Sequence, residues 1–269
     1  MVIDFHTHAF PDKIAERALK SLMDGAVRAS GTMLTPSTDG TVSGLVKALN
    51  RSSIDRCVVL PIATNEKQHK SINSFAKSII CDKVFSFASL HPIQEDWEDT
   101  LKEIANEGFK GIKLHPEFQD FFIDSKSGIR LLALAEQLGL YTVIHAGRDA
   151  GFLPPTHATP KRIANVLKVI KGDKLICAHL GGWLMWDEVE KYLVGTPVMF
   201  DTAYIAGGIS KEQALRIIRN HGADKVLFGS DAPWQHPKTT LDFIESLGLN
   251  EDELEKIKYK NALKVISTD

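Results

Sequence analysis

Cysteine is nearly missing from this chain. Its three copies, Cys57, Cys81 and Cys177, are too few and too scattered for a disulfide framework. Cys57 and Cys177 stand inside apolar runs, where a cysteine serves as a small buried hydrophobe. Long apolar runs are missing too: none approaches the roughly 18 residues of a membrane-spanning helix, so no membrane segment is expected. Neither sign of charge is in excess, with 32 Lys and Arg against 34 Asp and Glu. That balance excludes the basic footprint of a nucleic-acid binder or of a protein drawn to an anionic membrane. Lysine clusters at 168–174 and 256–264 are interleaved with apolar residues at helical spacing and read as solvated helix faces. A signal peptide is not expected, because cleavage would remove the functional-looking first strand, and the expected compartment is the cytoplasm.

What is present begins at once. Residues 1–10 read MVIDFHTHAF: Val2, Ile3 and Phe5 suit a buried strand that ends on two histidines. Residues two apart in a strand share a face, so His6 and His8 are expected to project together from its carboxyl end. Two imidazoles side by side make half of a metal site. The competing reading is a pair of histidines bonded to loop backbone, and the rest of the chain has to decide between them.

Helical periodicity follows at 11–23, then small and polar residues from Gly25 to Gly40 suggest a loop able to cover a site. Apolar, strand-like runs recur at 56–62, 84–90, 110–115, 141–146, 174–179, 197–201 and 225–231, separated by helix-like segments. Eight such runs over 269 residues give an α/β expectation, a single-domain (β/α)8 TIM barrel spanning residues 1–269. A doubly wound open sheet is the alternative, but it normally carries a glycine-rich phosphate loop after an early strand, and HTHAFP stands there instead.

Barrel enzymes place their chemistry at the carboxyl ends of the strands. In order, those ends carry His6 and His8, His91, Lys113 and His115, His145, His179, Asp201 and Asp231. Six of the ten histidines fall there, whereas surface histidines would scatter over the helices. A catalytic zinc takes three or four nitrogen and oxygen ligands and keeps a position open for water. His6, His8, His145 and Asp231 can supply them, since barrel closure sets the first strand beside the eighth with the fifth across the mouth. A metal-free polar network is the competing reading of the same set. His179 polarises a substrate or binds a second metal, unless it only bonds the Gly181–Gly182 turn. Arg148 suits a substrate carboxylate through its bidentate fork, unless it is a surface arginine. Trp234 and Trp183 wall an apolar pocket or simply pack. Asp201 either hydrogen-bonds a ligand histidine or caps the next segment. His91, His157 and His236 sit in loops on the same side and are not taken as ligands, while His69 and His221 are expected to be solvated.

The set HTH, IKLHP, VIHAG, CAHLGG and FGSDAPW resembles the amidohydrolase superfamily. More narrowly it resembles the amidohydrolase-related branch that includes aminocarboxymuconate-semialdehyde decarboxylase and related hydrolases and lactonases. The resemblance covers essentially the whole chain. It implies that His6, His8, His145 and Asp231 are metal ligands and that His179 orients substrate or binds a second metal. It implies one or two divalent ions, Zn2+ first and Mn2+ second. Two-metal members carry a carboxylated lysine at the fourth strand, a part open to Lys113. In one-metal members Lys113 and His115 would face a substrate anion instead, and an ion-paired interior lysine is the third reading. A homodimer is implied as well.

The expected activity is hydrolysis of a small carboxylate-bearing ester, lactone or amide by activated water. Asp231 moves the proton, and His179 with the metal steadies the oxyanion. Nonoxidative decarboxylation in the same pocket is the alternative. A non-catalytic metal-binding barrel is the remaining one, and an acid–base pair beside the ligands argues against it.

Overall fold

The first apolar run forms strand β1, Ile3–Thr7, in a computed structural model that describes residues 1–267. Seven further strands follow: β2 Arg56–Val59, β3 Val84–Ser86, β4 Gly111–Leu114, β5 Tyr141–Ile144, β6 Leu175–Cys177, β7 Met199–Asp201 and β8 Val226–Leu227. All pairings are parallel and sequential, in a β1-β2-β3 sheet and a β4-to-β8 sheet. Single bridges join the two sheets, Ala88 with Ile112 on one side and Thr7 with Ala232 on the other. The second seam also carries the backbone bonds Phe5 N to Phe228 O at 2.7 Å, Asp231 N to His6 O at 2.8 Å and His8 N to Ala232 O at 2.6 Å. The result is the expected eight-stranded barrel.

The outer layer comprises α1 Ala15–Ser30, α2 Val42–Arg51, α3 His69–Ser78, α4 Trp97–Asn106, α5 Lys126–Gln137, α6 Pro160–Val166, α7 Trp186–Tyr192, α8 Lys211–His221 and α9 Pro237–Glu245. Side-chain caps start several of them: Thr41, Ser125, Thr159 and Ser210 each accept a backbone N–H from the first turn. The chain closes with α10 Glu251–Glu255, a π turn at Lys256–Lys260 and α11 Asn261–Ile266. Ala262, Val265 and Ile266 of α11 pack against Ile3, Phe5, Val58, Phe87, Val143, Ile176 and Leu227, so the last helix plugs the apolar lower interior of the barrel. No helix is long and apolar enough to cross a membrane among the described residues.

Two expectations need correction. The segment from Gly25 is helical up to Ser30, because the apolar face of α1 with Ala15, Leu19 and Ala26 buried outweighs the roughly 1 kcal/mol helix penalty of one glycine. The loop therefore begins at Gly31, which caps α1 in the left-handed conformation with φ 72°. It reaches the mouth: Ser37 donates through its N–H and its hydroxyl to Pro233 O, and Ser30 Oγ donates to Ala150 O. The second correction concerns His69 and His221, which are buried and not solvated. His221 donates from Nε2 to Val198 O, accepts Gly195 N–H at Nδ1, and stacks on Phe200 with ring centroids 3.9 Å apart.

Candidate metal centre

Strand β1 does not reach the mouth by plain alternation. Ile3 and Phe5 belong to the apolar interior, so strict alternation would turn His6 the other way. Pairing with β2 steps from Asp4–Cys57 to Thr7–Val59, three residues against two, which is a bulge. His6 and His8 thereby come together with Nε2 atoms 3.2 Å apart. The neighbouring β8 end passes unusually close: a Cβ on Gly229 would lie 2.7 Å from His6 Cβ, so only glycine fits. Beyond it Asp231 takes a left-handed backbone, φ 70°, and its Oδ1 lies 3.2 Å from His8 Nε2 and 3.4 Å from His6 Nε2.

The far side of each ring fixes its tautomer. His6 Nδ1 donates to Asp201 Oδ2 at 2.7 Å and His8 Nδ1 donates to Leu60 O at 2.8 Å. Both Nε2 atoms are therefore bare lone pairs, and Asp231 Oδ1 is a third acceptor beside them. Three acceptors in van der Waals contact with no proton among them call for a cation, and the imidazoles are oriented by outer partners as metal-binding histidines are. The donor set thus fits a divalent ion. Lys113, fully buried, is the nearest positive group, with Nζ 3.2 Å from His6 Nε2. It makes no ion pair among the described residues, which disposes of the ion-paired interior reading. Burial pulls its pKa down to about 8, partly offset by the fields of Asp201, Asp231 and Asp149.

His145 does not join that trio directly. Its Nε2 donates to Arg148 O at 2.8 Å, leaving Nδ1 bare and 3.0 Å from His179 Nε2. His179 Nδ1 donates to Ala203 O at 2.8 Å, so its Nε2 is bare as well, and the ring does not bond the glycine turn. A second pair of facing lone pairs results. Burial, and then the neighbouring His145, lower the His179 pKa to about 4. A neutral His179 with that tautomer accepts at Nε2, so the expected donation to an oxyanion needs a proton that the resting ring does not carry. His179 also has a positive φ, 60°. Such backbone strain collects at functional sites.

Burial works to raise the Asp231 carboxyl, and the imidazoles of His8, His6 and His179 pull it below the usual carboxylate range only while a proton or a bound cation stands between them and the carboxylate. Burial, then Lys113, depress His6 well below the ordinary histidine value. Asp201 serves the role expected of it and one more. Its Oδ2 holds His6, while Oδ1 accepts the N–H groups of His179 and Ala203, both at 3.0 Å.

On the β4–β5 side a second cluster forms. His115 stacks on His145 with centroids 4.2 Å apart, and its Nε2 lies 3.3 Å from Asp149 Oδ2. His115 Nδ1 accepts Phe118 N–H at 3.4 Å, so Nε2 carries the proton that faces Asp149. Burial first, then His145, lower the His115 pKa to about 3. Asp149 is a site residue that sequence patterning does not reveal. It lies in a loop where no periodicity gives direction, and its only signal is its place four residues after His145. The Arg148 side chain is exposed and has no ion pair among the described residues, and Trp234 is half-buried beside Asp231. Trp183 meets Tyr204 edge-on at 5.8 Å, and Phe118 meets Phe152 at 4.9 Å, so aromatic rings from four further strand exits border the mouth. Tyr204, like Asp149, carries no sign of its place in the sequence.

A family model described as Amidohydrolase matches residues 3–267. Among solved structures, an uncharacterised TIM-barrel protein of Bordetella bronchiseptica is 17% identical with a TM-score of 0.74, over 98% of this chain and 97% of its own. A 5-carboxyvanillate decarboxylase of Novosphingobium aromaticivorans, complexed with manganese and 4-hydroxy-3-methoxy-5-nitrobenzoic acid, is 14% identical with a TM-score of 0.67, over 98% and 95%. A probable 2-pyrone-4,6-dicarboxylic acid hydrolase of Acinetobacter baumannii, with citric acid bound, is 14% identical with a TM-score of 0.66, over 98% of each chain. No curated protein sequence matches. At these identities the structural likeness establishes the TIM-barrel fold.

Proposed function

The chain belongs to the amidohydrolase family, and from that premise we propose that it is a metal-dependent hydrolase of a small carboxylate-bearing ester, lactone or amide. The observation that carries this reading is the convergence of His6 Nε2, His8 Nε2 and Asp231 Oδ1 within 3.4 Å of one another, three acceptors with no proton of their own, with Lys113 Nζ donating to His6 Nε2 beside them. These three would hold the ion, with His145 completing the set from across the mouth in a one-ion centre. The bare nitrogens of His145 and His179, 3.0 Å apart, favour a two-ion version in which Lys113 is carboxylated.

When bound, Zn2+ or Mn2+ lowers the pKa of water to roughly 7 and polarises a substrate carbonyl. Asp231, kept ionised, accepts the water's proton and returns it to the leaving group. His179 acts through its bare Nε2, as a ligand or as a proton acceptor. In the one-ion version an unmodified Lys113 and the Arg148 guanidinium supply the donors for a substrate carboxylate, while the His115 proton stays directed at Asp149. Trp234, Trp183, Tyr204 and Phe118 offer apolar faces to a flat substrate.

Decarboxylation is the second reading, favoured by the likeness to 5-carboxyvanillate decarboxylase. There the bond to the carboxylate breaks, its electron pair stays on the carbon skeleton, and a proton taken up from solvent and relayed by Asp231 or a neighbour replaces carbon dioxide. The test is to load the purified protein with Zn2+ or Mn2+ and challenge it with a panel of carboxylated lactones, esters and aromatic acids. Ring opening or ester cleavage without carbon dioxide supports hydrolysis, whereas carbon dioxide release moves the assignment to the second reading. Failure to take up either ion overturns both.

A further inference from the structure

Asp4 is fully buried and touches neither the mouth nor any proposed ligand side chain, yet it holds Ser230, and through the Ser230 hydroxyl it reaches Ala232 on the other side of Asp231. Its Oδ1 accepts Ser230 N–H at 2.8 Å and its Oδ2 accepts the Ser230 hydroxyl at 2.5 Å. The same hydroxyl oxygen accepts Ala232 N–H at 3.1 Å, closing a ring of hydrogen bonds around residue 231. Asp4 Oδ1 also takes His6 N–H at 3.3 Å, so the clamp grips the bulge of β1 that aims His6. Asp231 itself sits at φ 70°, a left-handed conformation that aspartate enters more readily than most residues and that the local hydrogen bonds of Ser230 fix here. Regular strand pairing is lacking at this seam, where β1 meets the chain after β8 through the Thr7–Ala232 bridge and three backbone hydrogen bonds.

We propose that Asp4 and Ser230 form a positioning clamp that holds the Asp231 carboxylate against His6 and His8, so that ion affinity at the trio depends on a hydroxyl that never meets the ion. The inference rests on the metal reading of the trio. Removing the Ser230 hydroxyl frees the backbone on both sides of Asp231 while leaving all three ligand side chains in place. Thr202 provides a matched control on the next seam. Its buried Oγ1 donates to Gly229 O and accepts Gly229 N–H, both at 3.0 Å, without holding residue 231.

The experiment is Mn2+ titration of the metal-stripped full chain, followed by the electron paramagnetic resonance of free Mn2+, with melting temperature measured alongside. Ser230→Ala is expected to weaken Mn2+ binding roughly 10- to 100-fold, as loss of an outer partner does in other metal sites. Thr202→Val is expected to melt earlier with wild-type affinity, and Ser230→Thr to recover most of the loss. If Ser230→Ala fails to fold, the isosteric Asp4→Asn takes its place with the same expected direction. Wild-type affinity in Ser230→Ala overturns the clamp alone. Affinity that tracks melting temperature through Thr202→Val as well reduces it to ordinary stability and also overturns it. A wild-type chain that binds no Mn2+ or Zn2+ overturns the metal centre and the clamp together.

Discussion

Two trios of two histidines and an aspartate stand at the mouth of one barrel: His6, His8 and Asp231 at the β1–β8 seam, and His115, His145 and Asp149 on the β4–β5 side. In both, the ligand-type atoms lie within 4.8 Å of one another, and residue type alone does not tell them apart. Their outer partners do. Asp201 and the Leu60 carbonyl take the Nδ1 protons of the first pair and leave bare nitrogens facing the carboxylate. In the second, the Arg148 carbonyl takes the Nε2 proton of His145, and Phe118 N–H fixes the proton of His115 on the side of Asp149. Asp149 thus receives protons where Asp231 meets lone pairs. Equal composition yields three converging acceptors, the site proposed for a cation, in one place and a hydrogen-bonded brace in the other.

The comparison breaks most readily at the ion. His8→Ala is expected to weaken Mn2+ or Zn2+ uptake at least about 100-fold, since it removes one of three convergent ligands. His115→Gln is expected to leave uptake within about threefold of wild type. Isothermal titration of both variants checks the pair, and equal losses would mean that the second trio also holds an ion. Next in size is a proton effect at a histidine with both nitrogens engaged. Burial first, then Lys225, with only partial opposition from the Val198 carbonyl and Asp224, lower the His221 pKa from 6.5 to about 4. The folded protein therefore keeps His221 neutral while the unfolded chain takes up a proton below pH 6.5. Its contribution is complete above pH 6.5 and fades as the pH falls toward 4, a loss of about 3 kcal/mol at about 1.4 kcal/mol per unit. Urea denaturation of the His221→Gln variant should show a shallower acid slope than wild type, and an unchanged slope refutes the assignment. Smaller still is Asp149→Ala, which leaves the His115 N–H without its acceptor and should cost about 1–3 kcal/mol of stability with ion uptake unchanged.

Much of this is legible in the order of the residues alone. Eight apolar runs and the polar residues that follow them place His6, His8, His145, His179 and Asp231 at one mouth, because barrel geometry converts order along the chain into position around a ring. What is not legible lies below the scale of residue type. Alternation brings His6 and His8 together on paper, but the actual strand needs a bulge to do it, and MVIDFHTH carries no mark of one. The left-handed backbones at His179, Tyr204 and Asp231 are invisible to propensity, which disfavours them. Asp4 has the character of an ordinary strand residue, and nothing in its neighbourhood points to Ser230, 226 positions away, which bonds it. His221 has the pattern of a solvated residue because helix ends usually are; the Phe200 ring beneath it makes the difference.

The smallest effect separates a side chain from its own backbone. The Arg148 carbonyl sets the His145 tautomer at 2.8 Å, while its guanidinium stands exposed with no ion pair among the described residues. Arg148→Ala keeps the carbonyl, so His145 should still present a bare Nδ1 to His179, and ion uptake should not change. What disappears is one solvated positive charge at the rim, worth up to about 1 kcal/mol toward an anionic ligand. The KM for a carboxylate-bearing substrate should therefore rise no more than about fivefold with kcat unchanged, and the rise should shrink in high salt. A neutral ester of the same skeleton should show no rise at all. A fall in kcat or in ion uptake would show instead that the Arg148 side chain helps to hold the loop that carries this carbonyl, and the two trios would then be coupled through residue 148.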